Sequence, residues 1–122
     1  MPERVDLAEK FASFDEVWDP KVVAKLNGQL VKVVKFEGEY VWHHHDAEDE
    51  LFWVIEGRMR LLLRDREVVL GPGQFFVVPR GVEHKPVAED VVQVVLFEPD
   101  TIVNTGRVQS DGTKTPDQLD EI

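Results

Sequence analysis

The sequence contains no cysteine. That single absence removes disulfides, thiolate metal ligands, iron–sulfur clusters and a cysteine nucleophile together. Long apolar runs are missing as well: the longest uninterrupted ones are about as long as a β-strand, far short of the ~20 residues a membrane-spanning helix needs. Near the N-terminus, Glu3, Arg4, Asp6, Glu9 and Lys10 stand where a signal peptide would carry its apolar run. Basic residues are scarce beside acidic ones, 14 against 24, for a formal net charge of -10. Such a field repels nucleic acid and anionic membranes, so neither is expected as a partner. What remains is 122 residues, 43% hydrophobic and 31% charged, enough for one domain with a real core and too few for two. The expectation is a soluble cytoplasmic protein.

Leu7, Phe11, Phe14 and Trp18 fall on one face at helical spacing. Asp6 is placed to cap that helix, with Glu9 completing a capping box. Ser13 and Glu16 repeat the pattern, which leaves open a break into two short helical pieces before Pro20. From residue 21 the pattern changes to short β-prone runs: Val22-Val23, Leu30 to Phe36, Leu51 to Ile55, Met59 to Leu63, Val68 to Leu70, Phe75 to Val78 and Val91 to Phe97. Asn27-Gly28 between the first two is a hairpin signal, because both residues tolerate positive φ. Gly38, Gly57, Gly71-Pro72-Gly73 and Pro79-Arg80-Gly81 punctuate the rest. Many short strands with no helical pattern between them predict an all-β antiparallel sandwich or barrel. The expected organisation is an N-terminal arm over residues 1–20, a barrel over 21–98, and a loosely packed polar arm or tail over 99–122. Asn104-Thr105-Gly106 and Asp111-Gly112 are predicted turns in that last segment.

Three of the four histidines stand together in Trp42-His43-His44-His45-Asp46. On a strand, His43 and His45 project to one side and His44 to the other, so the outer two can reach one ion. Glu50 follows a short acidic turn at the head of the run Leu51 to Ile55, and a hairpin there brings its carboxylate back toward the two rings. His84 lies far along the chain, just after Pro79-Arg80-Gly81.

These stretches resemble the two motifs of the cupin family. Gly38-EYVW-His43-H-His45-DAED-Glu50-LFWVIE-Gly57 is similar to the first, with a gap from Gly38 to His43 one residue shorter than its common form. Gly73-QFFVV-Pro79-R-Gly81-VE-His84 is similar to the second; Ala88 stands where an asparagine often follows. The motifs cover residues 38–84, and the flanking strands extend the likeness to about 22–97. Phe14, Trp18 and Pro20 ahead of the barrel, with Asn104-Thr105-Gly106 after it, look like a group of small one-domain bacterial cupins. The resemblance implies an antiparallel double-stranded β-helix, or jelly-roll barrel, with a short helical arm. It implies His43, His45, Glu50 and His84 as ligands of one divalent transition metal ion, and a homodimer as the assembled form.

Asp49 is the rival carboxylate to Glu50, while Glu48 and Asp49 otherwise read as a solvated turn. Arg58, Arg60 and Arg64 read as the wet face of a strand by two-residue alternation. Arg80 and Lys85, which flank His84, are the candidates to meet a charged substrate. Trp42, Phe52, Trp53, Phe75, Phe76 and Phe97 are expected to pack the barrel or a subunit interface. Three imidazoles and a carboxylate suit Zn, Fe, Ni, Co, Mn or Cu alike. Such a centre polarises a carbonyl or lowers the pKa of a bound water. A metal-dependent dioxygenase, isomerase or lyase acting on a small oxygenated molecule is the leading expectation. A non-catalytic ligand-binding or sensing protein, or a metal kept for stability, are the alternatives.

Overall fold

The computed structural model describes residues 3–106, 108 and 112–122. One short helix, α1 (Leu7–Ala12), precedes the strands β1 (Lys21–Leu26), β2 (Gln29–Glu39), β3 (Glu50–Glu56), β4 (Met59–Leu63), β5 (Glu67–Leu70), β6 (Phe75–Val78) and β7 (His84–Pro99). A single turn of 3-10 helix (Pro116–Gln118) and a two-residue strand, β8 (Asp120–Glu121), end the chain. Among the described residues no helix is long and apolar enough to cross a membrane.

The long strand β7 organises the barrel. Its first part pairs with β4, Val87 opposite Arg60, and with the end of β2, Ala88 opposite Gly38. Its second part lies between β2 and β3, with Val94 opposite both Val34 and Val54. Registers shift at Phe36/Gly38 on one neighbour and at Val54/Glu56 on the other, where the strand passes from one leaflet to the next. One leaflet is then β5-β4-β7, and the other runs β6-β3-β7-β2-β1-β8. Strand pairings are antiparallel throughout the barrel, with only β8 adding in parallel beside β1. This is the antiparallel jelly-roll barrel implied by the motifs. The corner depends on Gly57: at φ 91°, a Cβ there would sit 2.9 Å from the Val91 carbonyl oxygen.

The interior follows the two-residue period of the strands. Val34 and Phe36 from β2, Phe52 and Val54 from β3, Met59 and Leu61 from β4, and Val92, Val94 and Leu96 from β7 form one buried apolar cluster. The Asn27-Gly28 hairpin forms as expected, with both residues at positive φ and Leu26 paired to Gln29.

The flanking segments differ from the expectation. Asp6 caps α1 by accepting from the Glu9 N–H at 3.1 Å, but the helix ends at Ala12. Ser13 does not start a second helical piece; its hydroxyl donates to the Lys10 carbonyl and closes the first. Phe11 and Phe14 cover Val33 and Val95 on the outside of the β2–β7 pair. Trp18, at φ 58°, leaves that face and stacks on Phe36 and Tyr40, with ring centroids 4.4 and 4.7 Å away. After Pro99, Ile102, Thr105 and Leu119 are buried, while most of the other described residues are exposed or half-buried. The two flanks are also joined to each other, because Asp19 accepts from Lys114 Nζ at 2.7 Å and from Lys21 Nζ at 3.0 Å. Of the predicted turns, Asn104-Thr105-Gly106 is present, and Asp111 lies outside the described residues.

Candidate metal centre

His43 and His84 meet across an isolated antiparallel bridge. The His43 N–H donates to the His84 carbonyl at 3.1 Å, and the His84 N–H donates back at 2.9 Å. Two residues on, the His45 carbonyl accepts from the Gly81 N–H at 2.8 Å, which docks the Pro79-Arg80-Gly81 turn against the histidine loop. The loop is therefore less regular than a strand, yet the alternation holds. His43 and His45 are buried, while His44 points outward and pairs with Asp46 at 2.8 Å. Glu50 opens β3 in register with Val78 and turns inward. Gly106 presses from the other side, leaving no room for a Cβ beside the His44 backbone carbonyl.

One ligand atom from each of His43, His45, Glu50 and His84 lies within 4.8 Å of the others, and all four residues are buried. His43 Nδ1 and His84 Nδ1 face the Val41 and Val82 carbonyls at 2.9 and 3.0 Å. A carbonyl only accepts, so each Nδ1 carries the proton and each Nε2 presents a lone pair. His45 Nε2 and His84 Nε2 each stand 3.4 Å from Glu50 Oε1, and all three atoms are buried without a hydrogen-bond partner. Burial of several unpaired polar atoms around one point is costly unless something satisfies them. A divalent cation does so, since neutral imidazoles and a carboxylate are its ordinary ligands.

The electrostatics fit that use. Burial pushes the His43 imidazole down to about 4, and the neighbouring His84 adds to the effect. Burial alone would raise Glu50, but its contacts with Glu98, His45 and His84 hold it well below the usual carboxylate range. Glu98 moves the opposite way: burial and the nearby charge of Glu50 push it well above that range, against the pull of Lys32.

A small cavity of about 30 Å³ adjoins two of the four, His43 and Glu50, with Glu98 and Tyr40 also among its walls and Trp18 and Asn104 from the two flanking segments. Sequence reasoning missed Glu98 and Lys32, which are 2% and 1% exposed and paired at 2.5 Å. Their signal was present: Lys32 continues the inward series Leu30, Val34 and Phe36, and Glu98 continues Val92, Val94 and Leu96. A charge in phase with a buried face is out of place unless it has a partner or a task.

The other candidates lie outside the centre. Asp49 is exposed and accepts from the Arg80 backbone N–H at 2.9 Å and from its guanidinium at 3.3 Å. That pairing occupies Arg80 at the surface, and Arg80 holds the Asp49 carboxyl below its ordinary value. Lys85 pairs with Glu39 instead of facing the cavity. Arg60 pairs with Glu67 and Glu89, and Arg64 lies over the Trp42 ring at 3.8 Å, as befits the wet face expected of them. Phe52 is in the core, whereas Trp53, Phe75 and Phe97 are exposed on the outside of the β6-β3-β7 leaflet.

The chain is similar to known proteins. Residues 30–98 match the cupin domain family. The uncharacterized protein YdbB of Bacillus subtilis (strain 168) is 35% identical over 81 residues, a match spanning 66% of this chain and 66% of that protein. The chain thus spans just under two thirds of that relative's length. A solved structure of a cupin-2 domain containing protein from Shewanella frigidimarina is 41% identical, with 78% of this chain and 93% of that chain covered and a TM-score of 0.77. Protein NMB1881 from Neisseria meningitidis is 31% identical, with 80% and 99% covered and a TM-score of 0.72. A family match over more than half of the residues, on a barrel that gathers three buried histidines and a glutamate, makes this chain a member of the cupin family.

Proposed function

We propose that this protein is a metal-dependent cupin enzyme acting on a small oxygenated molecule, with His43, His45, Glu50 and His84 holding one divalent transition metal ion. The observation that carries the reading is the convergence of His45 Nε2, His84 Nε2 and Glu50 Oε1, buried and unpartnered, beside a cavity. When bound there, such an ion supplies a Lewis acid for a substrate oxygen or water. The chain's own side chains do the rest. The Val41 and Val82 carbonyls fix two imidazole tautomers, and Trp18 and Asn104 restrict access from solvent. Phe36 and Phe52 keep the site dry, which strengthens every charge interaction inside it.

Dioxygenase, isomerase and lyase chemistry all fit a carbonyl or diol held at such a centre, and fold alone does not choose among them. The test is elemental analysis of protein made without a histidine tag, followed by substrate screening with each metal, with and without oxygen. Oxygen consumption that depends on iron or copper selects a dioxygenase; turnover without oxygen selects an isomerase or lyase. A second reading, a non-catalytic small-ligand binder, draws support from the narrowness of the cavity. It expects ligand-dependent changes at the metal with no turnover under any condition.

We further take the working form as a cytoplasmic homodimer. Trp53, Phe75, Val77 and Phe97 form an exposed apolar face, with Trp53 opposite Phe75 in the ladder. A face of this kind is a candidate for burial against a second copy. Monomeric behaviour at micromolar concentration in light scattering counts against it.

A further inference from the structure

Glu98 and Lys32 are not part of the four-residue set, yet they sit beside it and are as deeply buried. Lys32 Nζ donates to Oε1 of Glu98 at 2.5 Å. The other oxygen, Oε2, is buried with no hydrogen-bond partner, and Glu98 lines the same cavity as His43 and Glu50. The polar group facing it is the Glu50 carboxyl; their contact raises Glu98 and lowers Glu50, and two carboxyl oxygens join by a hydrogen bond only when one of them is protonated. Leaving a buried polar atom unpaired costs about 1–3 kcal/mol. Stability alone does not account for the arrangement, because replacing a buried ion pair with apolar side chains is often neutral or stabilising.

Three properties of the space define what completes it. It is small, about 30 Å³, so only a short molecule or the end of one enters. Two carboxyl groups line it, so an anion is disfavoured. A ligand that takes up the cavity-facing oxygen of Glu98 competes with Glu50 for it and must donate or accept a hydrogen bond; a hydroxyl does both, whichever charge state the carboxyl holds.

We propose that Glu98, held in place by Lys32, is a ligand-binding residue that hydrogen-bonds the hydroxyl group of a small neutral hydroxycarbonyl compound whose carbonyl reaches the metal centre. This rests on the metal-centre reading above and names the substrate class for it. Glu98 touches the ligand; Lys32 is a positioning residue that fixes the carboxyl group through Oε1.

The test uses the full chain loaded with Co(II), titrated with hydroxyacetone and with methoxyacetone while the visible absorption of the cobalt is followed. The two probes differ only in the hydroxyl hydrogen being replaced by a methyl group. Wild type is expected to bind hydroxyacetone about tenfold more tightly or better, the worth of one good buried hydrogen bond. Removing Glu98 alone would strand the buried ammonium of Lys32, so the informative variant is the double Lys32→Met/Glu98→Leu. It is expected to stay folded, keep one cobalt per chain and bind the two probes equally. Glu98→Gln, which keeps the shape and the hydrogen-bonding capacity, is expected to retain a measurable preference.

Discrimination that survives in the double variant overturns the proposal, as does cobalt binding by wild type without any preference for the hydroxyl. Loss of cobalt from the double variant also overturns it, since Glu98 would then support the metal rather than the ligand. If wild type binds no cobalt at all, the metal-centre reading falls together with this one.

Discussion

Val54, Met59, Leu61, Val92 and Val94 are fully buried and wholly apolar, while His84, Glu98, Lys32 and Glu50, inside the same barrel, are buried to a similar depth and all ionisable or polar. The apolar group leaves no polar side-chain atom to satisfy, so its side chains are held by area and fit alone. The polar group retains His45 Nε2, His84 Nε2, Glu50 Oε1 and Glu98 Oε2 unpartnered. The first region lowers the free energy of the fold; the second raises it and makes sense only with something bound. Substitutions should therefore have opposite signs in the two places, and that contrast can be tested directly.

The largest expected effect is in the apolar region. Leu61→Ala should destabilise the protein by about 2–5 kcal/mol in urea unfolding, with or without metal, because it leaves a cavity in the buried apolar cluster. In the polar region, the metal-free protein should weaken on acidification. The folded His43 sits near 4, below its ordinary value, so between about pH 6.5 and 4 the unfolded chain takes a proton that the folded one refuses. Stability is then fully present above that window and lost as pH falls through it, by up to about 3 kcal/mol for this one group. A metal-free protein whose unfolding midpoint is flat between pH 7 and 4.5 would break the comparison.

Lys32→Met/Glu98→Leu should sharpen it: stability unchanged, or raised by about 1–4 kcal/mol, where an apolar core substitution lowers it. Smallest of all, Arg64→Ala at the surface should cost no more than about 1 kcal/mol by thermal unfolding, the worth of its exposed contact with Trp42 and Glu83.

Most of the barrel was legible because its strands are short, apolar and bounded by glycine and proline. Asn27-Gly28, Met59 to Leu63 and Phe75 to Val78 appear where the pattern put them. The first half of β7 was not legible. Lys85, Pro86, Glu89 and Asp90 read as a polar connection, and only the ladders with β4 and β2 make them a strand. Helical spacing overran at the N-terminus for a related reason: Trp18 repeats the apolar interval, but its ring is held by Phe36 and Tyr40, a contact that local periodicity does not contain. The burial of Ile102 and Leu119 after Pro99 escaped notice because the two are far apart in sequence and lie among mostly polar residues.

At the site, strand spacing set His43 and His45 on one side of the chain, and the likeness to the two cupin motifs added Glu50 and His84 as candidate ligands. Lys32 and Glu98 were missed although each falls in phase with an inward series, because which face of β2 and β7 turns inward is fixed only by the fold. The Arg80 and Lys85 candidates failed for the converse reason. Their sequence position beside His84 is close, but exposed acidic partners, Asp49 and Glu39, turn them away.

The central claim, that Glu50 rather than its neighbour completes a three-histidine metal centre, is tested most directly by the metal content of tag-free Glu50→Ala and Asp49→Ala beside wild type. The account predicts about one ion per chain in wild type and in Asp49→Ala, whose carboxylate serves Arg80 at the surface, and a loss of most of the metal in Glu50→Ala. Equal loss in both variants, or loss confined to Asp49→Ala, would contradict it.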